Sequence, residues 1–335
     1  MVLTRQTCAD ALQSPARSPG RDRDDERKTG VTTKHQEIQP GPGLASRASL
    51  VGGLVASVVA LLVCASNPQN AAANTLEVGG NGYLTINAAV RAAGPGDTIL
   101  IHAGTYREEV AIDKEITLDL FGDGDVWVDG QCVRNHGFWI WGSGAILRNL
   151  KVTNTIQAGV FLFAERPDQL RPSNVTVDGM TIQDFDCAWP LERPNTWGQY
   201  RAGVAAWYTG PGIHVTNNVI QFRTSGSPHG SADGIWFKSS DANPSGGGHY
   251  IAGNTIIGGW DGIGGEEEGS ARGTFDRDTV IENNTIRDCW DDGIQSEGGD
   301  QNVRIRDNDI SGCGAGIAFA APITGPLYIE NNYIP

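Results

Sequence analysis

Five segments of the chain repeat one pattern: a short β-branched strand, a polar turn pair ending in Asn, then another apolar residue. They read "IHVTNNVI" from Ile213, "YIAGNTII" from Tyr250, "VIENNTIRDC" from Val280, "VRIRDNDISGC" from Val303 and "LYIENNYI" from Leu327. Weaker copies are "AILRNLKV" from Ala145 and "VTVDGMTI" from Val175. The second Asn of each pair marks Asn218, Asn254, Asn284, Asn308 and Asn332, at steps of 36, 30, 24 and 24 residues. Tandem units whose strands are too short to enclose a core alone predict a stacked solenoid. Asn tolerates a positive φ and hydrogen-bonds nearby backbone, so a column of Asn can repeat from coil to coil.

Each unit carries a second strand opening on Gly and an apolar residue: "GVFLF" at Gly159, "GVAAW" at Gly203, "GIWFK" at Gly234, "GIGGE" at Gly262, "GIQSE" at Gly293 and "GIAFA" at Gly316. Two or three short strands per coil, with no helical period between them, predict an all-β parallel β-helix. An antiparallel sandwich would not give matched columns. The 45 glycines of the chain agree with many tight turns. Ahead of the repeats, Ile86, Ala89, Val90 and Ala93 have helical spacing, and Gly94-Pro95-Gly96 stops the helix before a strand at Thr98–His102. An amphipathic helix there would cap the open apolar end of the solenoid.

With that cap, the segment "GYLTINAAVRAAGPGDTILIHAGTYRE" and the later Asn ladder resemble the secreted right-handed parallel β-helix proteins of the pectin-lyase-like superfamily. The resemblance covers roughly Leu76 to Pro335. It implies the fold, and activity on polysaccharides as an expectation. The sequence ends part-way through a coil at "LYIENNYIP", which predicts either a short irregular cap or residues beyond Pro335.

Residues 1–47 mix Pro, Ser, Arg and Asp without apolar period and read as a disordered or mis-started extension. The uncharged run Ala48–Ser66, followed by a small-residue site at Ala71–Ala73, reads as a secretory signal over 48–73 in preference to a membrane anchor. The β-helix domain is then 74–335, in a secreted, extracellular or periplasmic protein expected to be monomeric. The whole chain carries a net charge of −14, and removing the basic leader makes the remainder more acidic still. Such a surface repels nucleic acid and anionic membranes. Its expected partners are polysaccharides or oligosaccharides, cations, or anions bridged by a metal.

Aligned on Gly-apolar, the residue before the glycine is Ala158, Ala202, Asp233, Asp261, Asp292 and Ala315 in successive coils. Parallel strands lie about 4.8 Å apart, so the three aspartates stack as neighbours. Alternation from Ile235, Ile263 and Ile294 sends Lys238, Glu266 and Glu297 outward as a second column on the same face. Only the three central coils carry this acidic dress, which favours a site over solvated turns. In "WDDGIQSEGGD" from Trp290, Asp291 and Asp300 have no partners in register and read as turn charges.

The aromatic residues Trp207, Trp236, Trp260 and Trp290 lie at or beside these strands and suit the apolar faces of sugar rings. The loop "DCAWPLERPNTWGQYR" adds Trp189, Trp197 and Tyr200. Nearby loops bring His229 and His249, of which His229 is the better proton shuttle. Four cysteines lie in the domain: Cys132, Cys187, Cys289 and Cys313. Cys289 and Cys313 each fall five residues after a ladder Asn, which places them on adjacent coils as either a disulfide or stacked thiols.

Three functions fit. In a glycoside hydrolase, two of Asp233, Asp261, Asp292, Glu266 and Glu297 would serve as acid and base. Asp233 with Asp292 is slightly beyond the separation of about 6.5–9.5 Å for inversion, and neighbouring aspartates fall below it. Asp291-Asp292 resembles the paired aspartates of polygalacturonases, but the remaining motifs of that family are absent or misplaced. In a polysaccharide lyase, Asp261, Asp292 and Glu297 would hold calcium and Lys238 would act as base, although Glu266 beside it opposes deprotonation. The third reading is a non-enzymatic solenoid that binds glycans or spaces domains.

Overall fold

The computed structural model describes residues 73–114, 118–163, 171–185, 187, 201–222, 232–265, 272–320 and 324–335. The extension, the signal candidate up to residue 72, and Trp189, Trp197, Tyr200, His229 and Glu266 lie outside these residues.

The chain winds as a parallel β-helix with three columns of strands per turn. One column is an eight-stranded parallel sheet made by the glycine-led strands, from Val110–Ile112 through Ala232–Lys238, Ile263–Gly264 and Asp292–Glu297 to Ala315–Ala320. The other two columns hold the strands before and after each Asn turn, such as Tyr250–Ala252 and Thr255–Ile257. They are joined at one coil by the long strand Leu118–Asp129, which pairs with Ala145–Arg148 through its first half and with Lys151–Thr153 through its second.

The core consists of files of identical residues running along the axis. Ile235 pairs with Ile263 and Ile263 with Ile294. Ile251, Ile281 and Ile305 form a second file, and Ile256, Ile286 and Ile310 a third. All nine are buried, each worth about 1.5–3 kcal/mol of burial relative to an exposed side chain.

The Asn turns divide their labour between two residues. The first of each pair takes the left-handed conformation, with φ of 56° at Asn217, 55° at Asn283 and 56° at Asp307, and Gly253 stands there at 67°. The second, buried Asn forms the ladder. Asn254 Oδ1 accepts the backbone N–H of Asn218 (3.0 Å) and its side-chain amide (2.9 Å), and the same pair of bonds recurs from Asn254 to Asn284, Asn284 to Asn308 and Asn308 to Asn332. In the weaker copies the left-handed residue survives as Asn149 and Gly179, while the ladder position is taken by buried Leu150 and Met180.

The cap forms as the spacing predicts. Thr85 caps a helix over Ile86–Ala92 by accepting from Ala88 N–H, and Ile86, Ala89 and Val90 face the core. The following strand is longer than expected, running from Thr98 to Tyr106. Cys289 and Cys313 are bridged, with Cα atoms 4.6 Å apart. A second bridge, Cys132–Cys187, joins residues 55 apart and was not foreseen from the repeat. Among the described residues no helix is long and apolar enough to cross a membrane.

Candidate functional site

The site lies on the outer face of the glycine-led sheet. Two-residue alternation alone would turn Asp233, Asp261 and Asp292 inward, since each stands two residues before a core isoleucine. The glycine between them prevents this. A Cβ at Gly234 would meet Ile256 Cγ2 and the carbonyl oxygen of Gly262, each at 2.5 Å, so this position also faces inward and only Gly fits. With Gly and Ile both turned in, the residue before the glycine turns away from the core, yet Asp233, Asp261 and Asp292 stay buried at 4%, 2% and 7% exposed. There Ala158 and Ala202, the equivalents of the aspartates in earlier coils, pack with Phe161, Ala205, Trp207 and Trp236 in a cluster separate from the core.

The expected aspartate column is present in register. Ala202 pairs with Asp233, the isoleucine pairs carry the alignment to Asp261 and Asp292, and Asp292 pairs with Ala315. The column also forms a ladder, because Asp233 Oδ1 accepts the backbone N–H of Asp261 (3.4 Å) and Asp261 Oδ1 that of Asp292 (2.9 Å). Asp292 ends this ladder. Among the described residues no donor meets its carboxylate, although the residue is only 7% exposed. Burial, followed by the charges of Asp291 and Glu297, pushes its pKa up to about 6.

Lys238 and Glu297 reach the same face as the second column. The ammonium of Lys238 lies 4.8 Å from the ring centre of Trp207 and 5.9 Å from that of Trp236. Glu297 accepts from the Gln295 side chain at 3.1 Å. Among the described residues no group of three or more His, Cys, Asp or Glu that could hold a metal ion occurs.

The four tryptophans form two pairs. Trp207 and Trp236 meet edge to face at 4.6 Å on the outer face, and the indole Nε1 of buried Trp236 has no acceptor among the described residues. Trp260 and Trp290 pair at 6.2 Å where the chain enters the acidic strands, with Trp290 47% exposed. The aromatic wall continues through the earlier coils: Phe161 stacks on His136 at 4.5 Å, and Trp139 lies 4.7 Å from Trp141. These residues were missed, although "GFWIW" and "GVFLF" place aromatics at the positions that carry Trp236 and Lys238 three and two coils on, respectively. His136 occupies the aspartate column itself, and burial lowers its pKa to about 3.

Two residues prove to be structural. His249 is buried inside the coil, where its Nδ1 accepts the N–H of Ile213 (3.2 Å) and its Nε2 meets Ser245 Oγ (3.1 Å). Burial lowers its pKa to about 3, so it serves packing. Asp300, expected as a solvated turn charge, is buried and ties down the preceding turn, accepting from Ser296 Oγ (2.7 Å) and Phe275 N–H (2.8 Å). Burial raises its pKa to about 7 despite those bonds. A folded-state value above the unfolded one means that this group's stabilising contribution is present at acid pH and is lost as pH rises through about 7. Asp300→Asn can keep both bonds by accepting from Phe275 and donating to Ser296. It is expected to be more stable than wild type in urea titrations above pH 7 and to lose the wild-type decline between about pH 4 and 7. A variant less stable than wild type at pH 8 would contradict this assignment.

A family model described as the right handed beta helix region matches residues 207–334, and the described domain is a right-handed parallel β-helix. No curated protein matches the chain. Among solved structures, it is similar to an alginate lyase from Paenibacillus sp. str. FPU-7 (15% identity, 78% of this chain and 99% of that one, TM-score 0.41). It is also similar to a pectin methylesterase from Aspergillus niger (17%, 78% and 85%, TM-score 0.40). A third is an alpha-1,3-glucanase from Streptomyces thermodiastaticus strain HF3-3 (14%, 79% and 69%, TM-score 0.29). At these values the likeness carries no argument about activity.

Proposed function

We propose that this protein is a secreted carbohydrate-active β-helix enzyme that hydrolyses glycosidic bonds of a polysaccharide lying along the outer face of the glycine-led sheet. The observation that carries the reading is Asp292. In this residue, only 7% exposed, the carboxyl pKa is pushed up to about 6 at the end of a column of carboxylates, and the exposed Trp290 two residues before it offers a face to a sugar ring. The two disulfides suit an oxidising compartment.

In this reading Asp292 protonates the glycosidic oxygen while the carboxylate of Asp261 bonds to the anomeric carbon and the C–O bond breaks. Water then displaces Asp261, giving its proton back to Asp292. Strands about 4.8 Å apart bring the two acids near the separation of about 5–5.5 Å used by retaining enzymes. Trp207, Trp236 and the exposed Trp290 would bind the flanking sugars. Lys238, held over two indoles, would position substrate.

The test is a panel of polysaccharides scored for new reducing ends and for the ultraviolet absorbance of unsaturated product ends, with the first-formed anomer read by NMR. Reducing ends without absorbance, and a retained anomer, are expected. Absorbance appearing with the reducing ends would replace hydrolysis by elimination, and no product from any polymer would remove the enzyme reading.

A further inference from the structure

We infer that Asn174 and Asn283 are acceptor sites for N-linked glycans, carried on turns of the solenoid outside the glycine-led sheet. The inference is independent of what that sheet does. Two stretches of the chain have the acceptor pattern Asn-X-Ser/Thr: Asn174-Val175-Thr176 and Asn283-Asn284-Thr285. Asn243-Pro244-Ser245 has the same spacing but carries the proline that blocks it.

The fold treats these two asparagines differently from most others in its left-handed turns. Asn149 donates its side-chain amide to Gly122 O (2.7 Å), Asn154 to Asp129 (3.0 Å), Asn217 to Asp178 (2.8 Å) and Asn302 to Asp278 (2.7 Å). Each of those amides is spent on holding a neighbouring coil. Asn174 and Asn283, with φ of 53° and 55°, are exposed, and their side-chain amides donate to nothing among the described residues. Asn331 is exposed in the same way but has Tyr333 where the pattern needs Ser or Thr.

A sugar can therefore leave the surface at either amide without displacing a bond of the fold. At Asn283 this follows from the division of labour in the Asn turns, since buried Asn284 carries the ladder and Asn283 supplies only the left-handed bend. Its turn joins Val280–Glu282 to Thr285–Arg287, and Asn174 leads into Thr176–Asp178; none of these strands belongs to the glycine-led sheet.

The donor is a lipid-pyrophosphate-linked oligosaccharide, met in the oxidising secretory compartment that the two disulfides suit. The amide nitrogen bonds to C1 of the first sugar as the C1–O bond breaks. The electron pair leaves with the pyrophosphate, and the nitrogen gives one proton to a base on the transferase. Nothing is oxidised or reduced.

The experiment is secretion of the full chain from a eukaryotic host, with site occupancy read by glycosidase release in heavy-oxygen water and peptide mass spectrometry. Release turns each glycosylated Asn into a labelled Asp. Label at Asn174 and Asn283, and at neither Asn243 nor Asn331, is expected. Thr176→Ala and Thr285→Ala should each abolish the label at their own site with the Asn still in place. The same chain from a bacterial periplasm that lacks the transferase is the reference for urea unfolding, and the glycosylated form should unfold at an equal or higher midpoint. Secreted protein unlabelled at Asn174 or Asn283 would overturn the assignment of that site. A lower midpoint for the glycosylated form would show that the fold needs these amides unmodified and would overturn both.

Discussion

Replacing Asp292 with Asn is expected to slow glycan cleavage by about 10²–10⁴-fold, the usual contribution of a positioned general acid. The wild-type rate should fall as pH rises through about 6, because the group must carry its proton to act and the raised pKa marks where it is lost. The variant should lack that limb. An aryl glycoside whose leaving phenol needs no protonation should recover most of the lost rate. Failure to recover would take the acid role away from Asp292, as would a wild-type profile still rising above pH 7. The unfolding transition of the variant should stay near that of wild type below about pH 4 and lie at or above it at neutral pH, since no described donor depends on the carboxylate and the charge that burial disfavours is gone.

The largest expected loss of stability is at the Asn ladder. Asn284 Oδ1 accepts from the backbone N–H (3.0 Å) and side-chain amide (2.9 Å) of Asn254, and its own amide donates to Ile251 O (3.0 Å) and Asn308 Oδ1 (2.9 Å). Asn284→Ala strips these bonds from groups that water cannot reach. Each orphaned buried group costs about 1–3 kcal/mol, so roughly 3–5 kcal/mol in urea unfolding is expected. Asn332→Ala is the internal comparison: Asn332 bonds Asn308 and Ile305 O below it, it donates to no further rung among the described residues, and the site is partly exposed. Its loss should be clearly smaller. Equal effects at the two sites would show that the ladder does not act through buried hydrogen bonds.

The readable parts of this molecule are those that repeat. The Asn column and the glycine-isoleucine pair could be aligned because each coil restates them, and that alignment carried Asp233, Asp261 and Asp292 into register. Alternation sends Lys238, Glu266 and Glu297 outward but, followed strictly, points the aspartates the other way. What turns them out is the crowding of a missing Cβ against Ile256, a contact between strands that no single strand reveals. The aromatic half of the face carries no charge pattern to mark it, because Trp139 and Phe161 stand at the equivalent positions in coils without the aspartates.

Asp300 was misread for a different reason. Its partners Ser296 and Phe275 come from its own strand and from an irregular turn outside the repeat, so burial could not be inferred from neighbours in sequence. The Cys132–Cys187 bridge likewise joins turns that the repeat leaves unaligned.

The stacking of coils has a consequence for how such a surface can change its chemistry. Acids held in one column can be separated only by whole numbers of strand spacings: about 4.8 Å for one rung and about 10 Å for two. Stereochemical outcome is thereby quantised. Asp261 as the partner of Asp292 gives the short separation that suits a covalent intermediate, while Asp233 would give a gap close to that needed for a bridging water. Moving one carboxylate by one rung, with the isoleucine files behind it undisturbed, would convert one kind of catalyst into the other without any intermediate geometry.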